Sequence, residues 1–198
     1  ILVGTQMIAK GHNFNNVSLV GIIDADLSLH YSDFRATDRA FNLLTQVSGR
    51  AGRTNLEGEV VLQTYTPKHF AYNCVSNYDY EKFYAKEINL RKVTSFPPFS
   101  KIVRVLASSE EELAVREYIT EFYKKVLDLK TENYKDFIYL DVMKSTVKRA
   151  KKQYRYQILM RLNLNTADKT IEKLFEINRE LNNKLVQCFV EIDPQNLS

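Results

Sequence analysis

The chain has 198 residues, 44% of them hydrophobic, and a formal net charge of +4. This length permits one large domain or two small ones, and the hydrophobic share is enough to fill a core. The mild excess of Lys and Arg permits an anionic partner without requiring one. No apolar run in these 198 residues is long enough to cross a membrane. The two cysteines, Cys74 and Cys188, form no metal-ligand pattern and indicate a reducing compartment, so we expect a cytoplasmic protein.

Residues 1–66 alternate apolar strands with a helical segment. Runs rich in Val, Ile and Leu predict strands at 1–3, 17–24 and 59–64. Between the last two strands, apolar residues at helical spacing predict a helix that buries Ala36, Ala40, Leu43, Leu44 and Val47. Because apolar strands separated by helices are typical of parallel sheets, this part of the chain is predicted to be α/β.

Residues 67–95 are predicted to form a helical extension, because their aromatic and apolar residues recur at spacings of three and four. The sequence Phe-Pro-Pro-Phe follows at 96–99. Neither proline can donate a backbone hydrogen bond, and each restricts the residue before it. We therefore predict a junction here, with one domain at 1–95 and a second at 96–198.

The second domain is predicted to run strand, helix, strand, strand, helix, strand. The predicted strands are 101–107, 137–143, 153–164 and 186–192. Ser109 and Glu112 have the spacing of a capping box before the first helix, and Thr166 or Asp168 is expected to cap the second. This βαββαβ order is that of a ferredoxin-like α+β domain, whose helices cover one sheet face and can leave the other open.

The connection between the two middle strands is strongly basic, and we call residues 144–155 the basic hairpin. No Asp or Glu lies between Asp141 and Asp168. The cations of this interval are Lys144, Lys148, Arg149, Lys151, Lys152, Arg155 and Arg161. Alternation along 154–164 puts the arginines on one face of the strand and most apolar residues on the other. Two interpretations remain open, a phosphate-binding surface and a solvated hairpin whose charges keep a sheet edge from pairing.

Residues 46–53 read Gln-Val-Ser-Gly-Arg-Ala-Gly-Arg. In a helix, Gln46, Arg50 and Arg53 would point from one face, because they are four and three residues apart. Two glycines beside them permit another surface to approach closely. Paired guanidiniums suit a phosphate chain, since the planar fork binds oxyanions bidentately. The alternative is a helix end whose arginines only complement the helix dipole.

Residues 4–12 read Gly-Thr-Gln-Met-Ile-Ala-Lys-Gly-His directly after an apolar run, where loops of parallel sheets bind ligands. Together with segment 46–53 they resemble motifs V and VI of superfamily 2 helicases. With the intervening Asp-Ala-Asp at 24–26 and Asp-Phe-Arg at 33–35, the chain resembles the PriA family of bacterial primosomal replication-restart helicases. The resemblance is specific over residues 1–66 and continues to the end of the chain. It implies that residues 1–95 are the C-terminal part of a second RecA-like lobe, cut from a longer protein.

The resemblance implies an ATP-dependent DNA helicase that binds branched DNA and restarts stalled replication forks. Arg53, as an arginine finger, and Arg50 would neutralise charge on the transferring γ-phosphoryl group. Gln46 would position that phosphate or the attacking water. Gly11 and Asn13 would lie near ATP, although many relatives carry an acidic residue where this chain has Asn13.

The resemblance also implies two DNA-binding regions. A phosphate would be held by Gly4, Thr5 and Gln6 at the end of the first predicted strand. A branched DNA would be contacted by the hairpin residues Lys148, Arg149, Lys151, Lys152 and Arg155. For Asp24 and Asp26 a metal pair is conceivable from the residues alone, but loop bracing is favoured because the metal-binding acids of such helicases belong to the other lobe.

ATP and Mg²⁺ are the cofactors that the resemblance implies for the intact protein. The Gly-Lys phosphate loop and the acidic metal motif (Walker A and B) do not occur in these 198 residues, so we expect negligible ATPase activity from them alone. The family also binds zinc, which two distant cysteines cannot hold. The implied partners are forked or single-stranded DNA, other primosomal proteins and single-stranded DNA-binding protein. The alternatives are a related superfamily 2 translocase on DNA or RNA, and a non-enzymatic nucleic-acid or protein docking module.

Overall fold

The structure is a computed structural model that describes residues 1–5, 17–31, 33–51, 58–150 and 152–197, with the backbone alone at 143–150. The chain divides into two compact units, Ile1–Asn89 and Leu90–Ser198. The first unit holds a two-stranded parallel sheet and the second a four-stranded antiparallel sheet, each with its own hydrophobic core. The predicted α/β class is confirmed at this level.

The first unit pairs strand β1 (Leu19–Ile22) with strand β2 (Glu59–Leu62) in parallel. A 3-10 helix (Ala25–Ser28) and helix α1 (Ala36–Ser48) lie between them in the chain. The strand predicted at 1–3 is wrong, because residues 1–5 have no regular structure and their side chains are exposed. A strand needs a neighbour to exchange backbone hydrogen bonds, and no described residue pairs with this run.

Helices build the core of the first unit. The predicted buried face of α1 is confirmed at Ala36, Ala40 and Leu44, and Phe41 joins it. The extension forms two helices, α2 (Phe70–Ser76) and α3 (Tyr80–Val93), as its spacing predicts. The Phe41 ring stacks on Phe83 of α3 with centroids 3.9 Å apart, and buried residues of α2 pack around this pair.

The second unit contains strands β3 (Lys101–Ser109), β4 (Phe137–Ala150), β5 (Gln153–Leu162) and β6 (Gln187–Ile192). Helix α4 (Glu112–Glu132) follows β3, and helix α5 (Ala167–Glu180) follows β5, which is the element order predicted from the sequence. A 3-10 turn (Tyr134–Asp136) precedes β4. The strands lie in the order β4-β5-β3-β6, and each neighbouring pair is antiparallel.

Both helices of the second unit pack on the same face of the sheet. Val103 and Val105 of β3 share a buried cluster with Phe122 of α4 and Leu174 of α5. The β5 residues of that cluster are Tyr156, Ile158, Met160 and Leu162, so the predicted alternation along this strand is confirmed. Residues of opposite parity lie on the other face, which we call the helix-free face.

The predicted capping box before α4 is not formed. The Ser109 hydroxyl accepts the backbone N–H of Glu111 at 3.1 Å, one step ahead of the helix, and Glu111 occupies the N-cap position. The Glu112 carboxylate accepts the Tyr156 hydroxyl at 3.0 Å instead of folding back on the helix start. A tertiary contact to β5 therefore replaces the local hydrogen bond that the sequence spacing predicts.

Residues 94–99 contain the predicted junction, and we call them the junction segment. They lie within the second unit, where Arg161 holds them. Its Nη1 donates to the carbonyl oxygens of Thr94 at 2.5 Å and Ser95 at 3.4 Å. The guanidinium carbon also lies 4.4 Å from the ring centroid of Phe96 and 5.1 Å from that of Tyr139. Burial lowers the pKa of Arg161 from its ordinary value. The guanidinium of Arg161 is therefore occupied by the junction segment at one end of the helix-free face.

Candidate functional sites

Gln46 and Arg50 lie at the C-terminal end of α1. Gln46 is exposed in the last turn of the helix, and Arg50 is half-buried just beyond Gly49. The backbone stays helical in character there, because the Gly49 N–H donates to the Thr45 carbonyl at 3.0 Å and the Arg50 N–H to that of Val47 at 3.0 Å. Helix α1 ends at Ser48, so Arg50 lies beyond the helix, and the predicted common face of Gln46 and Arg50 stays a prediction.

A guanidinium and an amide are donor types that suit an oxyanion. Arg50 carries a permanent planar fork, and the exposed Gln46 amide can donate or accept beside it. The prediction that Arg53 completes this set lies outside the described residues, as do the predictions for Gly11 and Asn13. Of the residues predicted for a nucleotide site, the structure therefore describes only Gln46 and Arg50.

The first predicted DNA contact is described only in part. Gly4 and Thr5 are exposed in irregular backbone, and Gln6 lies outside the described residues. Among the described residues, no hydrogen bond or ion pair joins Gly4 or Thr5 to another predicted site residue. Their assignment to a DNA phosphate stays a prediction.

Asp26 is a buried hydrogen-bond hub, with 3% of its surface exposed. Its carboxylate accepts the Thr64 hydroxyl at 2.9 Å, the Tyr65 backbone N–H at 2.6 Å, the Tyr72 hydroxyl at 2.9 Å and the Thr66 hydroxyl. These bonds, led by that of Thr66, hold the pKa of Asp26 far below its usual range despite burial. The bracing role predicted for Asp26 is confirmed, because this carboxylate joins the 3-10 helix to the segment after β2 and to Tyr72 of α2.

Asp33 braces the start of α1, a role that the sequence analysis missed. Only 5% of its side chain is exposed. Its Oδ1 accepts the Arg35 backbone N–H at 2.9 Å and lies 3.4 Å from Arg35 Nε, while Oδ2 lies 3.3 Å from Arg39 Nη2. An acidic residue just before a helix satisfies free N–H groups and complements the dipole. The spacing Asp-x-Arg-x₃-Arg, from Asp33 to Arg39, is the sequence feature from which this role could have been predicted.

No metal site is found in the part of the chain that the structure describes. Across residues 1–5, 17–31, 33–51, 58–150 and 152–197, no cluster of three or more His, Cys, Asp or Glu side chains could hold a metal ion. Both cysteines are free thiols, Cys74 in the first unit and Cys188 in the second. These residues do not fit a zinc site.

The backbone of the basic hairpin is an extended two-stranded ladder. Tyr156 pairs with Lys144 and Tyr154 with Arg149, so β4 carries a bulge between these pairs. Lys152 is exposed at the turn, with φ at 67°. Arg155 follows on β5, half-buried, and its Nε is buried without a hydrogen-bond partner. The structure thus brings Lys152 and Arg155 to one end of the sheet, while Lys151 and the side chains of Lys148 and Arg149 lie outside the description.

The position of Arg161 shows that the arginines of β5 do not form one continuous accessible basic face. The alternation of β5 puts Arg161 on the same face as Arg155, but its guanidinium is occupied by the junction segment. Gln157 lies between them on that face and is 1% exposed, although alternation with the buried residues predicts an exposed side chain. The accessible charge of β5 is therefore confined to its hairpin end.

The helix-free face also carries residues that the sequence analysis did not single out. On β3 and β6, Arg104 Nε donates to Glu191 at 2.6 Å, and Phe189 is 57% exposed in the middle of the edge strand. The alternation of Phe189 with Cys188 and Val190 was the signal that could have identified it.

Comparisons with known proteins agree in relating this chain to primosomal replication restart proteins. The family model for the primosomal protein N C-terminal domain matches residues 92–195. The replication restart protein PriA of Bacillus subtilis is 40% identical over 199 residues, which cover 98% of this chain and 24% of that protein. That of Borreliella burgdorferi is 34% identical, with 98% and 28% covered. That of Rickettsia felis is 47% identical over 117 residues, with 59% and 18% covered.

The chain therefore spans about a quarter of the length of the curated relatives that it matches over nearly its whole length. Across its described residues, none of the helices is long and apolar enough to span a membrane.

Proposed function

Because the chain belongs to the PriA family of replication restart proteins, we propose that it is the C-terminal part of an ATP-dependent DNA helicase. In this proposal the intact protein binds branched DNA, unwinds it and supports assembly of the primosome at stalled forks. The observation that carries the proposal is similarity to proteins of this name over 98% of the chain. The location of Gln46 in the last turn of α1 and of Arg50 just beyond that helix is compatible with it.

The finer fold assignment is part of the same proposal. Parallel β1 and β2 with intervening helices suit part of a RecA-like lobe, which would extend to residue 95. The strand order β4-β5-β3-β6, with both helices on one face, suits a ferredoxin-like domain from residue 96 onward. Members of this fold have many functions, so the proposed function depends on the sites rather than on the fold.

On the nucleotide side, Arg50 and Gln46 would hold the triphosphate together with Arg53, Gly11 and Asn13. ATP with Mg²⁺ would supply the energy of translocation in the longer protein. Arg50 and Arg53 would neutralise charge on the terminal phosphate, and the Gln46 amide would orient the groups around it. The chemistry of the described donors, one fixed cation and one neutral amide, fits a phosphate group.

On the DNA side, Gly4, Thr5, Gln6 and the basic hairpin would contact phosphates without reading sequence. Lys152 and Arg155 are the described members of this set in the second unit. Forked and single-stranded DNA, other primosomal proteins and single-stranded DNA-binding protein would be the partners, in the cytoplasm.

The experiment that tests the proposal uses the full-length protein of which these residues are part. Arg53→Lys keeps the positive charge but loses the fork, so we expect ATP hydrolysis on fork DNA to fall at least 100-fold, since arginine fingers contribute about 10³–10⁵. Fork binding should be unchanged. Arg116→Lys, at an exposed position of α4, is the matched control and should hydrolyse ATP normally. Normal turnover by Arg53→Lys contradicts the finger assignment, and strand displacement on duplex RNA but not on forks favours an RNA translocase.

A further inference from the structure

One aromatic side chain stands on the helix-free face of the second unit without a covering element. In β6, Cys188 and Val190 pack against the core, whereas Phe189 between them is 57% exposed. A single exposed apolar residue is common and means little alone. The exposure of Phe189 becomes informative when its neighbours on the sheet are considered.

The strand register defines these neighbours. Phe189 lies directly opposite Leu106 of β3, and Leu106 lies opposite Gln157 of β5. The next row toward the hairpin contains Gln187, Ser108 and Arg155. Because neighbouring strands are about 4.8 Å apart and alternate residues about 7 Å, Arg155 lies roughly 12 Å from Phe189 along the same face. An aromatic platform with an apolar neighbour therefore lies diagonally beside an arginine.

Arg155 differs from the other charged side chains of this face in the contacts that it makes. Arg104 pairs with Glu191, Arg161 is held by the carbonyls of the junction segment, and Asp141 accepts the Tyr139 hydroxyl at 3.1 Å. Among the described residues Arg155 has no ion pair, and its buried Nε has no hydrogen-bond partner. Arg155 is therefore the arginine of this face without a described ion pair or carbonyl partner, and the exposed Lys152 lies at the same end of the sheet.

An exposed aromatic on a four-stranded sheet with a cation nearby is complementary to an unpaired nucleotide. A base can stack on the ring while its phosphate meets the guanidinium, and stacking tolerates any sequence. A duplex offers its phosphates but not its base faces, because these are already stacked. We propose that this face binds single-stranded DNA by stacking one base on Phe189, with Leu106 beside the ring and Arg155 on a flanking phosphate. The inference rests on the proposed DNA-binding function and adds the site and the strand form.

Tryptophan fluorescence tests the stacking directly, because the chain contains no Trp. In a polypeptide of these 198 residues, Phe189→Trp would place a single tryptophan at the site. Phe175→Trp is the matched control, since Phe175 is 36% exposed on α5, a helix of the opposite face. We expect a 20-residue oligothymidylate to quench the emission of the first variant saturably and to leave the second unchanged. A duplex of equal length should quench neither.

Affinity measurements separate this inference from the general proposal. Phe189→Ala should weaken oligothymidylate binding about tenfold, within the range for one stacked base, and leave duplex affinity unchanged. Arg155→Gln should lower the slope of log K against log salt by about 0.7 on the single strand. Circular dichroism of each variant checks that the fold is retained.

Two outcomes overturn the inference in different ways. If Phe189→Ala binds the single strand normally, or loses single strand and duplex equally, the stacking site is refuted. The proposed function survives this result when Lys152→Gln still weakens binding. If the unsubstituted chain binds neither oligonucleotide, both the site and the DNA-binding role of the second unit are wrong.

Discussion

Replacing Arg161 by alanine removes two hydrogen bonds and one ring contact that join the junction segment to β5. The bond to Thr94 at 2.5 Å is charge-assisted and should contribute about 1.5–2 kcal/mol, while the bond to Ser95 at 3.4 Å is long and should contribute little. Each ring contact should add about 0.5 kcal/mol at a partly exposed position. We therefore expect Arg161→Ala to lower the free energy of unfolding by about 2–3 kcal/mol.

Urea unfolding followed by circular dichroism measures this loss, and hydrogen exchange of residues 94–100 locates it. Arg161→Lys keeps the charge but not the fork or the stacked plane, so it should recover less than half of the stability. Arg116→Ala, on an exposed part of α4, should change stability by less than about 0.5 kcal/mol. If Arg161→Ala unfolds like the unsubstituted chain and instead loses one unit of salt dependence on DNA, the reasoning is refuted, because Arg161 is then a phosphate contact.

Two further predictions concern the first unit. Tyr72→Phe removes one of the donors to the Asp26 carboxylate and should cost about 1–2 kcal/mol, since the remaining donors still satisfy it; an unchanged urea midpoint would contradict this. Burial lowers the pKa of His69, whose Nδ1 accepts the Ala71 N–H at 3.3 Å and so caps α2 in the neutral form. The folded state binds this proton less readily than the unfolded state, so the contribution is fully present above the ordinary imidazole pKa, about 6.5, and is lost as the pH falls. His69→Asn keeps a good cap without a titrating group, so its stability should be flatter between pH 7 and 5; equal slopes for both proteins would contradict the assignment.

The periodicity of apolar residues predicted those parts of the fold that depend on local sequence patterns. The apolar alternation of β5 and the helical spacing of α1 each encode a buried face, and both faces are found where they were predicted. Asp26 was predicted to brace a loop, and its hydrogen bonds confirm this role.

The remaining features depend on contacts between distant parts of the chain. Alternation assigns Arg161 to a face but says nothing of the segment that covers it, which is 66 residues earlier at Ser95. Charge made residues 144–150 look like a loop, yet backbone pairing extends β4 to Ala150 with a bulge. Phe189 was counted as one apolar residue of a strand, because its exposure depends on which sheet face the two helices cover.

The way in which Arg161 holds Thr94 and Ser95 has a practical consequence for dissecting the protein. An excised C-terminal piece that begins at residue 96 would keep the guanidinium but lose both of its carbonyl acceptors. It would also lose Arg91, whose Nη1 donates to the Pro97 carbonyl at 3.3 Å. A recombinant piece that begins at Leu90 retains all of these groups, and it is the one to choose for crystals or titrations.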